Sequence, residues 1–269
     1  MNKIEREMLD ILRILKSDFG AVSVKAEFEA EGTRSDELLR LVDLARRADL
    51  NLALKIGGCE AVRDLIESKQ YGAEYIIAPM VETPYALKKF IAAKNKIYSD
   101  EQKKDTTFLF NVETITAYQN LKEMLEVASS ENGVEGCVFG RVDFAGSLDI
   151  GRSEIEGEVI TDYAVNTARA CKQHNMELVV GGGIAASSLG VLRQLHATHL
   201  SRFETRKIVF DASILSQESL DKGLDQTVLF ELLWLKNKKE FYGEISKEDE
   251  PRILMLEKRW NEIKSSINK

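Results

Sequence analysis

The chain alternates between short apolar runs and segments with helical periodicity, and this alternation restricts the fold more than any other feature. Between the apolar runs, hydrophobic residues recur at intervals of three and four, as in Val62, Leu65 and Ile66. Such alternation predicts an α/β protein with a parallel sheet, either open or closed into a TIM-type (β/α)8 barrel. The runs with the length of buried strands are Val22–Phe28, Leu52–Ile56, Tyr75–Pro79, Phe108–Val112, Cys137–Phe139, Leu178–Val180 and Ile208–Phe210.

The closed barrel is the favoured form of this sheet. A length of 269 residues suits one barrel, and no Gly-x-Gly-x-x-Gly motif follows the first run to indicate a dinucleotide-binding fold. A closed barrel needs eight strands, so either one short strand is hidden near Thr198–Phe203 or the barrel is incomplete. We therefore predict a TIM-type barrel domain over residues 1–215, with one strand short or missing.

Residues 216–269 are predicted to form a C-terminal helical extension. Val228–Leu235 is a strongly apolar helix, a charged stretch follows, and Ile253–Ile263 has the pattern of a second helix. Both tryptophans of the chain, Trp234 and Trp260, lie in this extension. A barrel covered by helices leaves little surface for so many apolar residues. We expect the extension to pack in the interface of a homo-oligomer, with packing against its own barrel as the alternative.

The composition excludes several classes of partner. The net charge of −7 and the lack of a basic stripe argue against binding to nucleic acid. No window approaches the ~18 apolar residues of a membrane span, and the N-terminus carries charges where a signal peptide needs an apolar stretch. Cys59, Cys137 and Cys171 are odd in number and widely spaced, so they are predicted to be reduced thiols of a cytoplasmic protein.

Two of the apolar runs end abruptly in a carboxylate. Glu113 follows one run and Asp143 follows the next, 30 residues later, with a helical pattern between them. If the strands are parallel neighbours, their ends lie roughly 5 Å apart. A carboxylate pair at the carboxyl edge of a sheet is a typical site for Mg²⁺. The alternative is that the two residues cap the helices that follow.

Three motifs in this part of the chain resemble those of one enzyme family. Residues 78–83 (Ala-Pro-Met-Val-Glu-Thr), 111–114 (Asn-Val-Glu-Thr) and 140–148 (Gly-Arg-Val-Asp-Phe-Ala-Gly-Ser-Leu) occur in the order found in the HpcH/HpaI aldolase/citrate lyase family. That family belongs to the pyruvate kinase-like group of TIM barrels. The resemblance covers about residues 20 to 215, and three motifs in register on successive strands make it fairly specific.

The resemblance implies a function and part of a site. Glu113 and Asp143 would bind Mg²⁺, Mn²⁺ or another divalent cation, which acts as a Lewis acid on a pyruvate-like enolate. Gly140 would let the backbone approach the substrate carboxylate, and Val142 and Pro79 in the same motifs would contact substrate. The implied activity is a carbon–carbon lyase or aldolase that acts on a 2-oxo acid and an aldehyde.

The sequence departs from the family pattern at two strands. Lys55 stands where the family usually has an arginine, and it could still offset the charge of an enolate. An acidic or histidine motif usually ends an earlier strand, and here that segment offers Glu27 or Glu29. Strand alternation places these two on the same face, so the pattern does not choose between them. All three histidines fall late in the chain, which argues against an aldolase-type histidine base.

Four further charged residues are candidates at the mouth of the barrel. Arg141 lies between Gly140 and Val142 and is a candidate catalytic residue, and Glu82 ends a strand ahead of Pro84. Arg206 and Lys207 precede the last strand, and they could bind a carboxylate or phosphate, or form a structural ion pair with Glu204 or Asp211. The glycine turn at residues 181–183 resembles a phosphate-binding loop, with close packing as the alternative.

Three other functions stay open at this point. One is a citrate lyase-like or malyl-CoA lyase-like enzyme that acts on an acyl-CoA. The second is a catalytically inactive homologue that binds metal and ligand, as loss of the usual arginine and histidine would suggest. The third is a lyase for a phosphorylated or polyhydroxylated substrate, which would use Arg206 and the glycine turn.

Overall fold

A computed structural model describes residues 1–267, which form a closed eight-stranded barrel with helices on its outside. This confirms the predicted TIM-type barrel. The strands are β1 (Ala21–Glu27), β2 (Asn51–Lys55), β3 (Tyr75–Ala78), β4 (Thr107–Val112), β5 (Gly136–Gly140), β6 (Glu177–Gly181), β7 (Arg202–Glu204) and β8 (Ile208–Asp211). The helices are α1 (Lys3–Phe19), α2 (Ser35–Arg47), α3 (Val62–Gln70), α4 (Pro84–Ile97), α5 (Ile115–Gln119), α6 (Leu121–Ala128), α7 (Arg141–Ser147), α8 (Glu158–Gln173), α9 (Leu189–Thr198) and α10 (Leu220–Ile267).

The eighth strand is β7, and it overlaps the segment in which a hidden strand was predicted. It has three residues and pairs in parallel with β6. The last strand, β8, differs from a regular (β/α)8 barrel because it runs antiparallel to both β7 and β1. Only residues 205–207 join β7 to β8, and a parallel crossover needs a dozen residues or more. The chain therefore turns back as a hairpin and closes the barrel without a helix between these strands.

Strand alternation divides the core into two layers. Side chains that point into the barrel form a small cluster across six strands: Ala53, Ile77, Leu109, Val138, Val179 and Val209. The alternate side chains, such as Leu54, Phe110 and Phe139, pack outward against the helices in a much larger cluster. Beyond the small cluster, towards the carboxyl ends of the parallel strands, the barrel interior is lined by polar and charged residues.

The C-terminal extension is one continuous helix, α10, so the prediction of two separate helices was wrong. Glutamate and lysine are good helix formers, and the charged stretch stays helical, with Pro251 inside the helix. The first half of α10 packs against α1 and buries Phe230, Leu233 and Trp234. In the second half Trp260 is exposed. Among the described residues, no helix is long and apolar enough to cross a membrane.

Candidate active site

A cavity of about 990 Å³ lies at the carboxyl ends of the parallel strands. The structure brings together eight of the residues predicted to form the site. Its lining includes Glu27, Glu29, Lys55, Glu113, Gly140, Val142, Asp143 and Arg206. Three other predicted residues, Pro79, Glu82 and Arg141, lie outside this lining.

Glu113 is the best-positioned carboxylate of the cavity. It follows β4, is 3% exposed, and accepts hydrogen bonds from the Met80 backbone N–H at 2.9 Å and from the Asn111 side-chain amide at 2.7 Å. Met80 adopts a left-handed conformation with φ 51°, a strained geometry for a residue with a side chain. The helix α5 is capped by Thr114 instead, so the capping alternative was wrong for Glu113.

Gly140 keeps space beside this carboxylate. A Cβ atom at this position would lie 3.0 Å from the Glu113 Cβ and 3.2 Å from its Oε2. Because Glu113 is buried and held by two hydrogen bonds, it could not move away easily. Any larger residue at position 140 would therefore displace Glu113.

The donor atoms at this end of the cavity suit a hard divalent cation. Asp143 lies in the first turn of α7, exposed and on the cavity lining. The Asn111 Oδ1 atom is buried and lacks a hydrogen-bond partner within residues 1–267. The same part of the chain contains no cluster of three or more His, Cys, Asp and Glu side chains suited to a metal. Two carboxylates and an unpartnered amide oxygen nevertheless fit Mg²⁺, which usually keeps several waters.

Lys55 points into the cavity from the end of β2. Its Nζ lies 2.9 Å from Glu29 Oε2 and 3.6 Å from Glu113 Oε2. Burial lowers the pKa of Lys55, but Glu113 and Glu29 outweigh burial and hold this pKa above its ordinary value. Lys55 is therefore a fixed positive charge beside Glu113.

The cavity also contains a buried ion cluster that sequence analysis did not predict. Lys25 on β1 forms ion pairs with Glu204 on β7 and with Glu27, the latter at 3.3 Å. Burial lowers the pKa of Lys25, but Glu204 and Glu27 raise it more, so it lies above the ordinary value. Burial raises the pKa of Glu27, but Lys25 and Lys55 bring it below its usual range. The sequence feature that could have indicated this cluster is Lys25, a charged residue within the apolar strand β1.

Arg141 is placed away from the cavity. It is fully buried, and its guanidinium pairs with Glu156 at 2.8 Å and donates to the Gly182 carbonyl at 3.0 and 3.2 Å and to Ser188 Oγ at 3.1 Å. Burial outweighs the pairing with Glu156 and lowers the pKa of Arg141. The contacts fix the glycine turn after β6. Arg141 thus shapes the cavity wall through Gly182.

The glycine turn itself is explained by close packing. Gly182 and Gly183 have φ values of 86° and 67°. A Cβ at Gly182 would lie 2.7 Å from the Val142 backbone N and 2.8 Å from the Arg141 backbone N. Such contacts are too short for any residue other than glycine. The turn therefore has a structural reason for its glycines.

The other predicted residues occupy supporting positions. Pro79 is buried, and Glu82 accepts a hydrogen bond from the Thr114 hydroxyl at 2.7 Å. Arg206 lines the cavity but pairs with Glu31 at 3.1 Å, and Lys207 pairs with the same carboxylate. Both cations therefore form structural ion pairs, but the predicted partners Glu204 and Asp211 were wrong, because Glu31 lies beside both cations instead.

One wall of the cavity comes from α10, which sequence analysis did not assign to the site. Thr227, Val228 and Glu231 line the cavity beside the turn between β7 and β8. The side chain of Val228 is 68% exposed. Because β7 and β8 form a hairpin, no long loop or helix follows β7. The side of α10 forms the cavity wall at this position instead.

Comparisons with known proteins show the family through a family model and the fold through solved structures. The family model for HpcH/HpaI aldolase/citrate lyase matches residues 39–182. No curated protein matches the sequence.

Three solved structures show the same fold at low sequence identity. An HpcH/HpaI aldolase from Desulfitobacterium hafniense DCB-2 is 16% identical, with a TM-score of 0.58 and coverage of 81% of this chain and 88% of the other. The citrate synthase SbnG is 15% identical, with a TM-score of 0.58 and coverage of 74% and 81%. An HpcH/HpaI aldolase/citrate lyase family protein from Burkholderia cenocepacia J2315 is 13% identical, with a TM-score of 0.60 and coverage of 83% and 90%.

The family match spans more than half of the 269 residues, and it includes the strand ends that carry Glu113 and Asp143. A match of this family supports an enzyme with a lyase-type function. From the match and the barrel together, we conclude that the chain belongs to the HpcH/HpaI aldolase/citrate lyase family.

Proposed function

We propose that this protein is a divalent-metal-dependent carbon–carbon lyase or aldolase that acts through the enolate of a pyruvate-like 2-oxo acid, with an aldehyde as the second substrate. The observation that carries the proposal is the arrangement around Glu113. Its carboxylate is buried at the cavity end of β4, held by Met80 and Asn111, and lies 3.6 Å from the Lys55 ammonium. A carboxylate fixed this firmly at a cavity is organised for binding.

Glu113 and Asp143 are the proposed ligands of Mg²⁺ or Mn²⁺, with Asn111 Oδ1 available to a bound water. The cation, when bound, supplies a Lewis acid that lowers the energy of an enolate. Gly140 leaves room beside Glu113 for the 2-oxo acid. The residues of this chain provide the orientation and the additional charge.

Lys55 is proposed to offset the negative charge that develops on the substrate oxygen. Its ammonium is held by Glu29 and Glu113, so it is already in place before the substrate binds. Lysine lacks the planar fork of arginine and acts here as a point charge.

Glu29 is proposed to move the proton, in preference to Glu27. Both glutamates pair with a lysine, but the pKa of Glu27 lies below the usual range because Lys25 and Lys55 outweigh burial, which makes Glu27 a weak base. Glu29 lies nearer to solvent, with 30% of its side chain exposed, and touches the cavity. Replacing each glutamate by glutamine shows which of them moves the proton. Only Glu29→Gln should reduce the rate of proton exchange more than it reduces metal binding.

Calorimetric titration of the metal-stripped protein with Mg²⁺ and Mn²⁺, with and without pyruvate or oxalate, tests the proposal. A second assay follows exchange of the pyruvate methyl protons with D₂O by NMR, which reports enolate formation. Glu113→Gln/Asp143→Asn should abolish metal-dependent oxalate binding and slow the exchange at least ~100-fold, about 2.7 kcal/mol.

Glu82→Gln is the matched control, because Glu82 also follows a strand of the barrel but lies outside the cavity. It should bind metal and oxalate like the wild type. Wild-type binding without exchange would favour an inactive homologue. Failure of the wild type to bind either metal would contradict the lyase proposal.

We further propose that the enzyme is a cytoplasmic homo-oligomer. The second half of α10 exposes Ile253, Leu254, Leu256 and Trp260. This apolar surface is unusual for an isolated helix. Sedimentation of the wild type against Leu256→Glu/Trp260→Glu should show a smaller species for the variant, and a monomeric wild type would contradict the oligomer.

A further inference from the structure

A second cavity, of about 390 Å³, lies at the opposite end of the barrel from the active site. It is bounded by the end of α4 and by the segment between α6 and β5, close to where β4 and β5 begin. The proposed lyase chemistry uses none of its residues. Three lysines line it, Lys94, Lys103 and Lys104.

Lys94 is the unusual residue of this cavity, because it is a buried cation without a counter-ion. It is 2% exposed, and its Nζ donates to Asn95 Oδ1 at 2.9 Å and to the Asn132 carbonyl at 3.0 Å. The ring of Phe108 lies 5.0 Å away. Over residues 1–267, no carboxylate oxygen lies within 4.0 Å of its Nζ, whereas buried charges are usually paired.

The pKa of Lys94 is correspondingly lowered. Burial, with a smaller contribution from the charge of Lys103, lowers its pKa from 10.5 to about 8, and Glu135 offsets only part of this effect. An ammonium has three donors, and the two oxygens use two of them. One donor of Lys94 is therefore left for a further acceptor.

Two further lysines, Lys103 and Lys104, line the cavity near Lys94. Lys103 Nζ lies 3.3 Å from Asn95 Oδ1, the same atom that Lys94 contacts, and its own partner Asp100 is 93% exposed in the side chain. Lys104 pairs with the exposed Glu101. A carboxylate also lines the cavity: Glu135 is an exposed residue that accepts a hydrogen bond from the Phe108 backbone N–H, and partial burial raises its pKa.

We propose that this second cavity binds a small oxyanion, namely a phosphate group, free or carried by a small metabolite, between Lys94 and Lys103. An oxyanion would supply the missing counter-ion, accept the third hydrogen bond of Lys94, and reduce the repulsion between two lysines that share one acceptor. Lysine binds phosphate as a point charge, so the site does not need the planar fork of an arginine.

The test is a titration of the full chain with inorganic phosphate and with glycerol 3-phosphate at pH 7, followed by calorimetry and by the thermal midpoint Tm. Wild type should bind saturably and gain Tm. Lys94→Met should lose binding, and Lys103→Met, on a more exposed side chain, should weaken it about tenfold. Preference for one of the two ligands identifies the source of the phosphate group.

Lys122→Met on the exposed face of α6 controls for the change in net charge and should bind like the wild type. Metal binding at Glu113 should stay unchanged in every variant. Sulfate, whose charge is constant between pH 7 and 9, should bind more weakly as pH rises, because Lys94 loses its proton near pH 8. Equal anion binding by wild type and Lys94→Met, or an equal loss in Lys122→Met, would overturn the proposal.

Discussion

Two lysines are buried, one inside the barrel and one in the helix layer, and their surroundings compensate the cost of burying a charge to different degrees. Lys25 in the barrel contacts two carboxylates, Glu204 and Glu27, and its pKa is raised. Lys94 in the helix layer contacts only neutral oxygens and an aromatic ring, and its pKa falls to about 8. Lys25 is 7% exposed and Lys94 2%, so it is the carboxylate partners that decide whether the pKa is raised or lowered. Arg141, whose single carboxylate partner is Glu156, lies between these two cases.

Removing the cation of the barrel cluster should have the largest effect. Lys25→Met leaves Glu204 and Glu27 buried without their partner, so we expect the free energy of unfolding to fall by about 3–5 kcal/mol at pH 7. Urea unfolding followed by circular dichroism measures this. Adding Glu204→Gln to the variant should recover part of the loss, because one uncompensated charge disappears. If Lys25→Met alone left the free energy of unfolding unchanged, the contrast between Lys25 and Lys94 would be wrong.

Arg141→Lys should have an intermediate effect. Lysine cannot reproduce the bonds to Glu156, Gly182 and Ser188 together, so the free energy of unfolding should fall by about 2 kcal/mol. Arg152→Lys at the exposed rim of the cavity is the control and should change it by less than ~0.5 kcal/mol. Equal effects of the two variants would show that the contacts of Arg141 contribute little.

Lys94→Met should have the smallest effect at pH 7, within about 1 kcal/mol. The lost hydrogen bonds are offset because a poorly compensated cation no longer has to be buried. A loss of 3 kcal/mol would show that Lys94 is stabilised as well as Lys25.

The pH dependence of stability sharpens the same contrast. Lys94 has a lower pKa in the folded state than its ordinary value of 10.5, so between pH 8 and 10.5 the unfolded chain binds more protons. The charge penalty of Lys94 is therefore present below pH 8 and disappears as pH rises towards 10.5. Urea titrations at pH 7 and 9.5 should show the wild type gaining stability relative to Lys94→Met.

The apolar runs predicted most of the barrel, because buried strands need continuous hydrophobic sequence. β7 was only suspected, since the three residues Arg202, Phe203 and Glu204 show no periodicity. The direction of β8 follows from the three-residue connection, whose length the sequence does not reveal because β7 itself shows no strand pattern. The charged stretch of α10 was misread because helix propensity, rather than apolar pattern, continues the helix.

The sequence predicted which strand-end residues reach the cavity, while their catalytic and metal-binding roles stay predictions, and it did not predict positions that a distant partner decides. Glu113 and Asp143 line the cavity because both follow strands at one sheet edge. Lys25 and Glu204 are 179 residues apart, and their pairing depends on how β1 and β7 face each other across the barrel. The sequence also could not show that Arg141 turns away from the cavity towards Glu156, because Glu156 lies in an irregular segment.

The hairpin that ends the barrel has a consequence for engineering. Because α10 supplies one wall of the cavity with its side, Val228 can be varied without touching any strand or strand-following loop. A regular helix tolerates exchange of an exposed side chain better than a loop tolerates a change of backbone. Substrate range could therefore be tuned by a library at Val228 alone, because Glu231 lies 3.8 Å from Arg206 on the hairpin and its exchange would alter the charges beside the ion cluster.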